Sequence, residues 1–137
     1  MAANMTLSQI KALLESKLLA MPGVLPTAFE NVPFKPPEGP YQACYHLVNS
    51  PVDLGIEGTL TEERGILQIT LRYPEGKGRQ ITDAMADQLK QHFKPAQIIP
   101  GPGFRIELNK TPAVSSGMPD EGRWTVPVSI SWEAYPS

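Results

Sequence analysis

A single cysteine, Cys44, in 137 residues leaves no partner for an intrachain disulfide and no multi-cysteine zinc site, and it suits a reducing compartment. Positive charge is equally sparse. Lysine and arginine number 12 against 14 acidic residues, a net charge of −2, and only Lys77 and Arg79 stand close together. The electrostatic footprint of a nucleic-acid binder is therefore missing. Long apolar runs are absent too. Met1-Ala-Ala-Asn-Met5 has no cationic lead, and Lys11, Glu15 and Lys17 interrupt the stretch that follows, so neither a signal peptide nor a spanning helix is expected. These absences point to a soluble, unprocessed chain.

Proline is plentiful: 15 residues, about double the usual share, alongside 41% hydrophobic and 19% charged residues. At this length the chain is read as one domain, 1–137, with long stiffened loops. Four prolines and a glycine crowd into Glu30–Tyr41. Each proline fixes its own φ and biases the residue before it to extended geometry, so this stretch predicts a stiff arm, turning at Glu38-Gly39 and carrying Phe34 and Tyr41.

Thr6 followed by Gln9 reads as a capping box, and Leu7, Ile10, Leu14 and Leu18 recur at helical spacing until Pro22-Gly23, predicting a helix from Thr6 to Ala20. A second helix is expected from Arg79 or Gln80 to Lys94, with Ile81, Met85, Leu89 and His92-Phe93 on its buried stripe and Pro95 as its stop. Period-two alternation marks strands at Tyr41–Val48, Gly65–Tyr73, Phe104–Asn109 and, most clearly, Trp124–Ala134, with a short one at Ala28–Val32. The Gly65 strand should pair with the Tyr41 strand. Asp53–Arg64 reads as a hairpin with an acidic tip, Ile98–Gly103 as a loop, and Thr111–Gly122 as a mobile loop. Pro127 cannot donate a ladder hydrogen bond, which places the last strand at an edge or a bulge. This order predicts an α+β fold, a two-layer sandwich of a mainly antiparallel or mixed sheet with two helices on one face.

Groups that could carry chemistry are few. Cys44 and His46 share one strand face, but no third group in sequence orients the imidazole, so neither a catalytic nor a metal role is expected. His92 reads as a packed histidine. The glycines of Glu75-Gly-Lys-Gly-Arg79 precede a helix without full phosphate-loop spacing.

Glu30-Asn31-Val32-Pro33-Phe34 with Pro36-Pro37 and Pro40-Tyr41 is followed by Gly65-Ile66-Leu67-Gln68, which leads to Tyr73-Pro74, Gly76 and Gly78. Val126-Pro127-Val128-Ser129-Ile130-Ser131-Trp132 closes the series. From Ile10 to Tyr135 this order and spacing resembles the small tail terminator-like proteins of long-tailed bacteriophages and prophages. The resemblance implies the same sandwich and a virion structural protein rather than an enzyme, with no cofactor and no metal. It further implies a homo-oligomeric ring, a hexamer, that caps the tail tube, stops its polymerisation and offers a surface for head joining. Its partners would be its own copies, the tail tube protein and a head-completion protein, with DNA passing through the lumen unbound. Assembly would take place in the host bacterial cytoplasm, and the finished protein would sit at the head-proximal end of the tail. The alternatives are another neck or tail-completion component of this fold, or a small-ligand-binding module or enzyme on the same scaffold.

Aromatic, Met and Arg side chains are enriched in interface cores, so Phe34, Tyr41, Met118 and Arg123 are the expected ring or partner contacts. Phe34 and Tyr41 could equally seal their own domain. Glu62, Glu63, Asp120 and Glu121 are expected in acidic loops, facing either solvent or a lumen where they would keep phosphates from sticking.

Overall fold

Thr6 sets where the first helix begins. Its hydroxyl accepts from the Gln9 amide and the Gln9 side chain accepts from the Thr6 amide, both at 3.2 Å, closing the capping box ahead of α1 (Leu7–Leu19). The protein is described by a computed structural model over residues 5–54 and 60–136. The strands that follow are β1 (Thr27–Phe29), β2 (Tyr41–Val48), β3 (Val52–Leu54) and β4 (Leu60–Pro74). After α2 (Gln80–His92) come β5 (Gln97–Gly101), β6 (Phe104–Leu108), β7 (Ala113–Val114), β8 (Met118–Asp120) and β9 (Arg123–Pro136).

Among the described residues these strands form a nine-stranded mixed sheet whose main path runs β1-β2-β4-β9-β6-β5. β1 lies parallel to β2 and the other pairings are antiparallel, including the expected match of the Tyr41 and Gly65 strands. A parallel neighbour needs a crossover connection, and the proline arm supplies it. The longest register joins β4 to β9, with Leu67, Ile69 and Leu71 opposite Ile130, Val128 and Val126. Those residues face the helices. They share one core with Ile10, Leu14 and Leu18 of α1 and with Ala86, Leu89 and Phe93 at α2, so both helices cover the same side of the sheet. The result is the expected α+β sandwich, with a polar face of Gln68, Thr70, Arg72, Ser129 and Ser131 left free of helix.

Five expectations are corrected. Ile98–Gly103 is not a loop: its residues supply most of β5, a strand ending in a tight turn into β6. Thr111–Gly122 is tied down by β7 and β8, both paired to β9. On α2 the buried line runs Thr82, Ala86, Leu89, Phe93, while Ile81 is 58% exposed. Glu62 and Glu63 lie in β4, not in a loop, with Val52 opposite Glu62 and Ala134 opposite Glu63. Glycines 55 and 58 of that expected hairpin lie outside the described residues.

The fifth concerns Pro127, which sits in an interior strand with β4 on one side. Its carbonyl accepts from the Ser115 amide at 2.9 Å. A strand residue aims its N–H and C=O to the same side, so the missing N–H points toward the gap between β7 and β8. No bond to β4 is forfeited.

Candidate functional site

Three of the four residues expected at an interface converge on one another. The Phe34 and Tyr41 rings lie 5.3 Å apart, and the Arg123 guanidinium sits 4.9 Å from the Tyr41 ring centroid. The same guanidinium donates to the Gly39 carbonyl at 2.6 Å and to the Pro37 carbonyl. Arginine's planar fork suits two carbonyls on one stiff arm, because the arm presents them in a fixed relation. Arg123 therefore pins the proline arm to the sheet. Tyr41 is buried and Phe34 half-buried, so both pack on their own chain.

Arg72 closes the other side of this cluster. Its Nε donates to the Tyr41 hydroxyl at 2.9 Å, and Nη1 donates to Asp120 Oδ2 at 2.9 Å, tying β4 to β8. Asp120 is thereby an ion-pair partner, while its neighbour Glu121 occupies an exposed left-handed turn position, φ 47°. Met118 remains 57% exposed. The arm, Tyr45 and the Asp120 turn enclose a groove of about 420 Å³. Arg72 was missed by sequence reasoning, because its partners stand 31 and 48 positions away.

Glu62 is buried near Glu133 and Tyr135. A hydrogen bond to Glu133, helped by burial, raises the Glu62 carboxyl above its usual range, and the same bond lowers Glu133. The Tyr135 hydroxyl donates to Glu133 at 2.8 Å and is pushed up as a result. The pairing of β4 with β9 thus holds two carboxyl groups side by side, where ionising one disfavours ionising the other.

The residues singled out for chemistry fall in separate places. His92 Nε2 contacts the Lys17 carbonyl and its ring meets Phe93 edge-on at 5.1 Å, so it packs the C-terminal ends of the helices together. Gly76, Gly78 and Arg79 border an open groove of about 640 Å³ with Trp124 and Pro119. Arg79 caps α2 with no side-chain hydrogen bond and pairs with Asp83 at 3.5 Å.

Cys44 and His46 lie under α1, where Glu15 reaches His46 Nε2 at 2.8 Å. The His46 side chain is 2% exposed, yet its Nδ1 has no partner among the described residues, an omission that costs ~1–3 kcal/mol for a buried polar group. Burial, then the charges of Glu15 and Glu30, push the Cys44 thiol up to about 12. Glu15 is the third group that the sequence pattern could not reveal, because it arrives from another element.

Exposed apolar side chains are spread over both helices, the arm and several strands, and a few of them stand at the two ends of the sheet. β1 pairs only with Gln42–Cys44, so Tyr45–Val48 has no outer neighbour among the described residues, and Tyr45 and Leu47 are 43% and 48% exposed. Glu30 accepts from the His46 amide at 2.9 Å and blunts this edge. At the other end Ile98 of β5 is 63% exposed.

No curated protein sequence matches this chain. Three solved chains match it in structure; one, at 23% identity, superposes with a TM-score of 0.79 over 98% of this chain and all of its own length, which shows a shared fold. The family described as phage tail terminator protein matches residues 9–132. That match runs from the first turn of α1 through the proline arm and the main-path strands to Trp132, and the chain therefore belongs to the phage tail terminator protein family.

Proposed function

We propose that copies of this protein close into a ring, a hexamer, that seats on the end of the phage tail tube, stops its growth and presents a surface to a head-completion protein. Membership of the family carries the tail-completion role and a place in the virion tail. The ring reading rests on one observation: the two ends of the sheet expose different apolar residues, Tyr45 and Leu47 at one end and Ile98 at the other. A closed ring needs a heterologous interface, in which one patch of a subunit meets a different patch of the next. Unlike apolar residues at opposite ends of one sheet suit that requirement, whereas a twofold dimer would need one self-complementary patch.

Met118, 57% exposed on β8, extends the contact toward the tube or the head side in this reading. Arg123, Tyr41 and Phe34 contribute by fixing the arm's outline rather than by touching the partner with their own tips. Glu63 and Glu121, with net charge −2 and few basic clusters, suit a lumen wall along which DNA slides without being held. Asp120 and Glu62 contribute less there, since Arg72 pairs with the first and the second is buried, its carboxyl raised by its neighbour Glu133.

The test is tube growth. Purified tail tube protein polymerised with increasing amounts of this chain should give tubes that stop lengthening and carry a ring at one end in negative stain. Tubes of unchanged length with bare ends would refute the proposal.

A further inference from the structure

We propose that Glu15, Cys44 and His46 form a zinc-binding site that fastens α1 to β2, a site independent of the ring reading. One carboxylate oxygen of Glu15, the Cys44 sulfur and a ring nitrogen of His46 all lie within 4.8 Å of one another. Bonds of zinc to sulfur, nitrogen and oxygen near 2.0–2.3 Å place tetrahedral donors roughly 3.3–3.8 Å apart, so small side-chain rotations close the set.

The donors are of the right kind. A thiolate with an imidazole and one carboxylate suits zinc, whereas magnesium and calcium take oxygen ligands. Cys44 is 1% exposed and the His46 side chain 2%, with Nε2 of that ring already at Glu15 and Nδ1 without a hydrogen-bond partner among the described residues. Glu15, at 32% side-chain exposure, leaves a route from solvent, from which a water would come as fourth ligand. Charge balances as well. Binding releases the Cys44 thiol proton to solvent, and the ion's two positive charges then meet one thiolate and one carboxylate, so the buried site carries no net charge. Glu30 holds the His46 amide at 2.9 Å and fixes the strand that presents both ligands, the supporting role an outer shell plays at metal sites.

The full-length protein, stripped with chelator, is titrated with Co²⁺ and then Zn²⁺. Cys44 is the only thiol, so a thiolate-to-cobalt charge-transfer band reports this site alone. The expected result is a band that saturates at one equivalent, vanishes when one equivalent of zinc is added, and is absent in Cys44→Ala. Because Cys44 is in the core, Glu15→Gln at the more exposed ligand is the second variant. It should weaken zinc by more than ~10-fold, since even outer-shell changes cost 10- to 100-fold. His92→Ala should leave the titration unchanged. Absence of the band in the wild-type protein, or zinc affinity that Glu15→Gln leaves intact, would overturn the proposal.

Discussion

Replacing Arg123 by alanine should free the proline arm while leaving the sheet beneath it in place. The guanidinium makes hydrogen bonds to the Gly39 and Pro37 carbonyls and lies 4.9 Å from the Tyr41 ring centroid. Charged donors contribute ~1.5–3 kcal/mol per hydrogen bond when well shielded. Both carbonyls belong to a half-exposed arm and regain water when the side chain is removed, so the pair is taken at ~2 kcal/mol in total. The contact with the ring adds ~0.5–1 kcal/mol. The expected loss is therefore ~2–3 kcal/mol, a drop of ~1–1.5 M in the urea midpoint at unchanged slope. A protease that cuts after glutamate supplies the local readout, because Glu38 sits exposed on the arm. Cleavage after Glu38 should accelerate in Arg123→Ala, and Arg123→Lys should fall between, keeping the charge and losing the fork. Tyr41→Phe loses the 2.9 Å bond from Arg72 but keeps the ring, so arm protection should persist. Stability within ~0.5 kcal/mol of wild type, with unaltered cleavage after Glu38, would refute the clamp.

Trp132→Ala, which empties the largest fully buried side chain, should cost ~3–5 kcal/mol in chemical denaturation. Gly65→Ala should cost ~1–3 kcal/mol, since an added Cβ would stand 2.6 Å from the Leu47 carbonyl and 2.8 Å from the Trp132 ring. Ile81→Ser on the exposed side of α2 should leave the thermal midpoint nearly unchanged. Metal-free Cys44 should resist alkylation at mildly alkaline pH until urea unfolds the chain. Its thiol is raised from 9.0 to about 12 in the fold, so stability from this group holds below 9.0 and declines as pH climbs toward 12, which a pH series of urea midpoints would read.

Much of the scaffold was legible because local signals agreed with the tertiary outcome. Thr6 and Gln9 make the box their spacing predicts, and the alternation from Trp124 to Ala134 points its even-numbered residues into the core. Where signals conflicted, packing decided. Prolines and glycines near Ile98 suggested a loop, but β5 is an outer strand of the sheet, where Pro100 is tolerated. On α2 hydrophobicity favoured Ile81, whereas burial went to Thr82 and Ala86, small residues in line with Leu89 and Phe93. The candidate sites were less legible. Phe34, Tyr41 and Arg123 were recognisable as distinctive residue types, yet their mutual contact depends on β9 returning beside the arm, 84 residues later at Arg123–Gly39. Glu15 meets His46 across 31 positions, and Glu62 meets Glu133 only because β4 and β9 pair. Contacts of that range follow from topology, which no local pattern encodes.

The central claim, a ring closed by two unlike patches, is tested most directly by measuring molar mass on two variants alone and mixed. Leu47→Asp and Ile98→Asp alter exposed side chains at opposite ends of the sheet, so both should fold as the wild type does. Light scattering at assembly-competent concentration should give a ring of about six copies for the wild type and monomers for each variant. An equimolar mixture should stall at dimers, because the intact Leu47 end of one variant can meet the intact Ile98 end of the other and each outer end is blocked. Rings formed by either variant alone, or dimers formed by one variant with itself, would contradict the account.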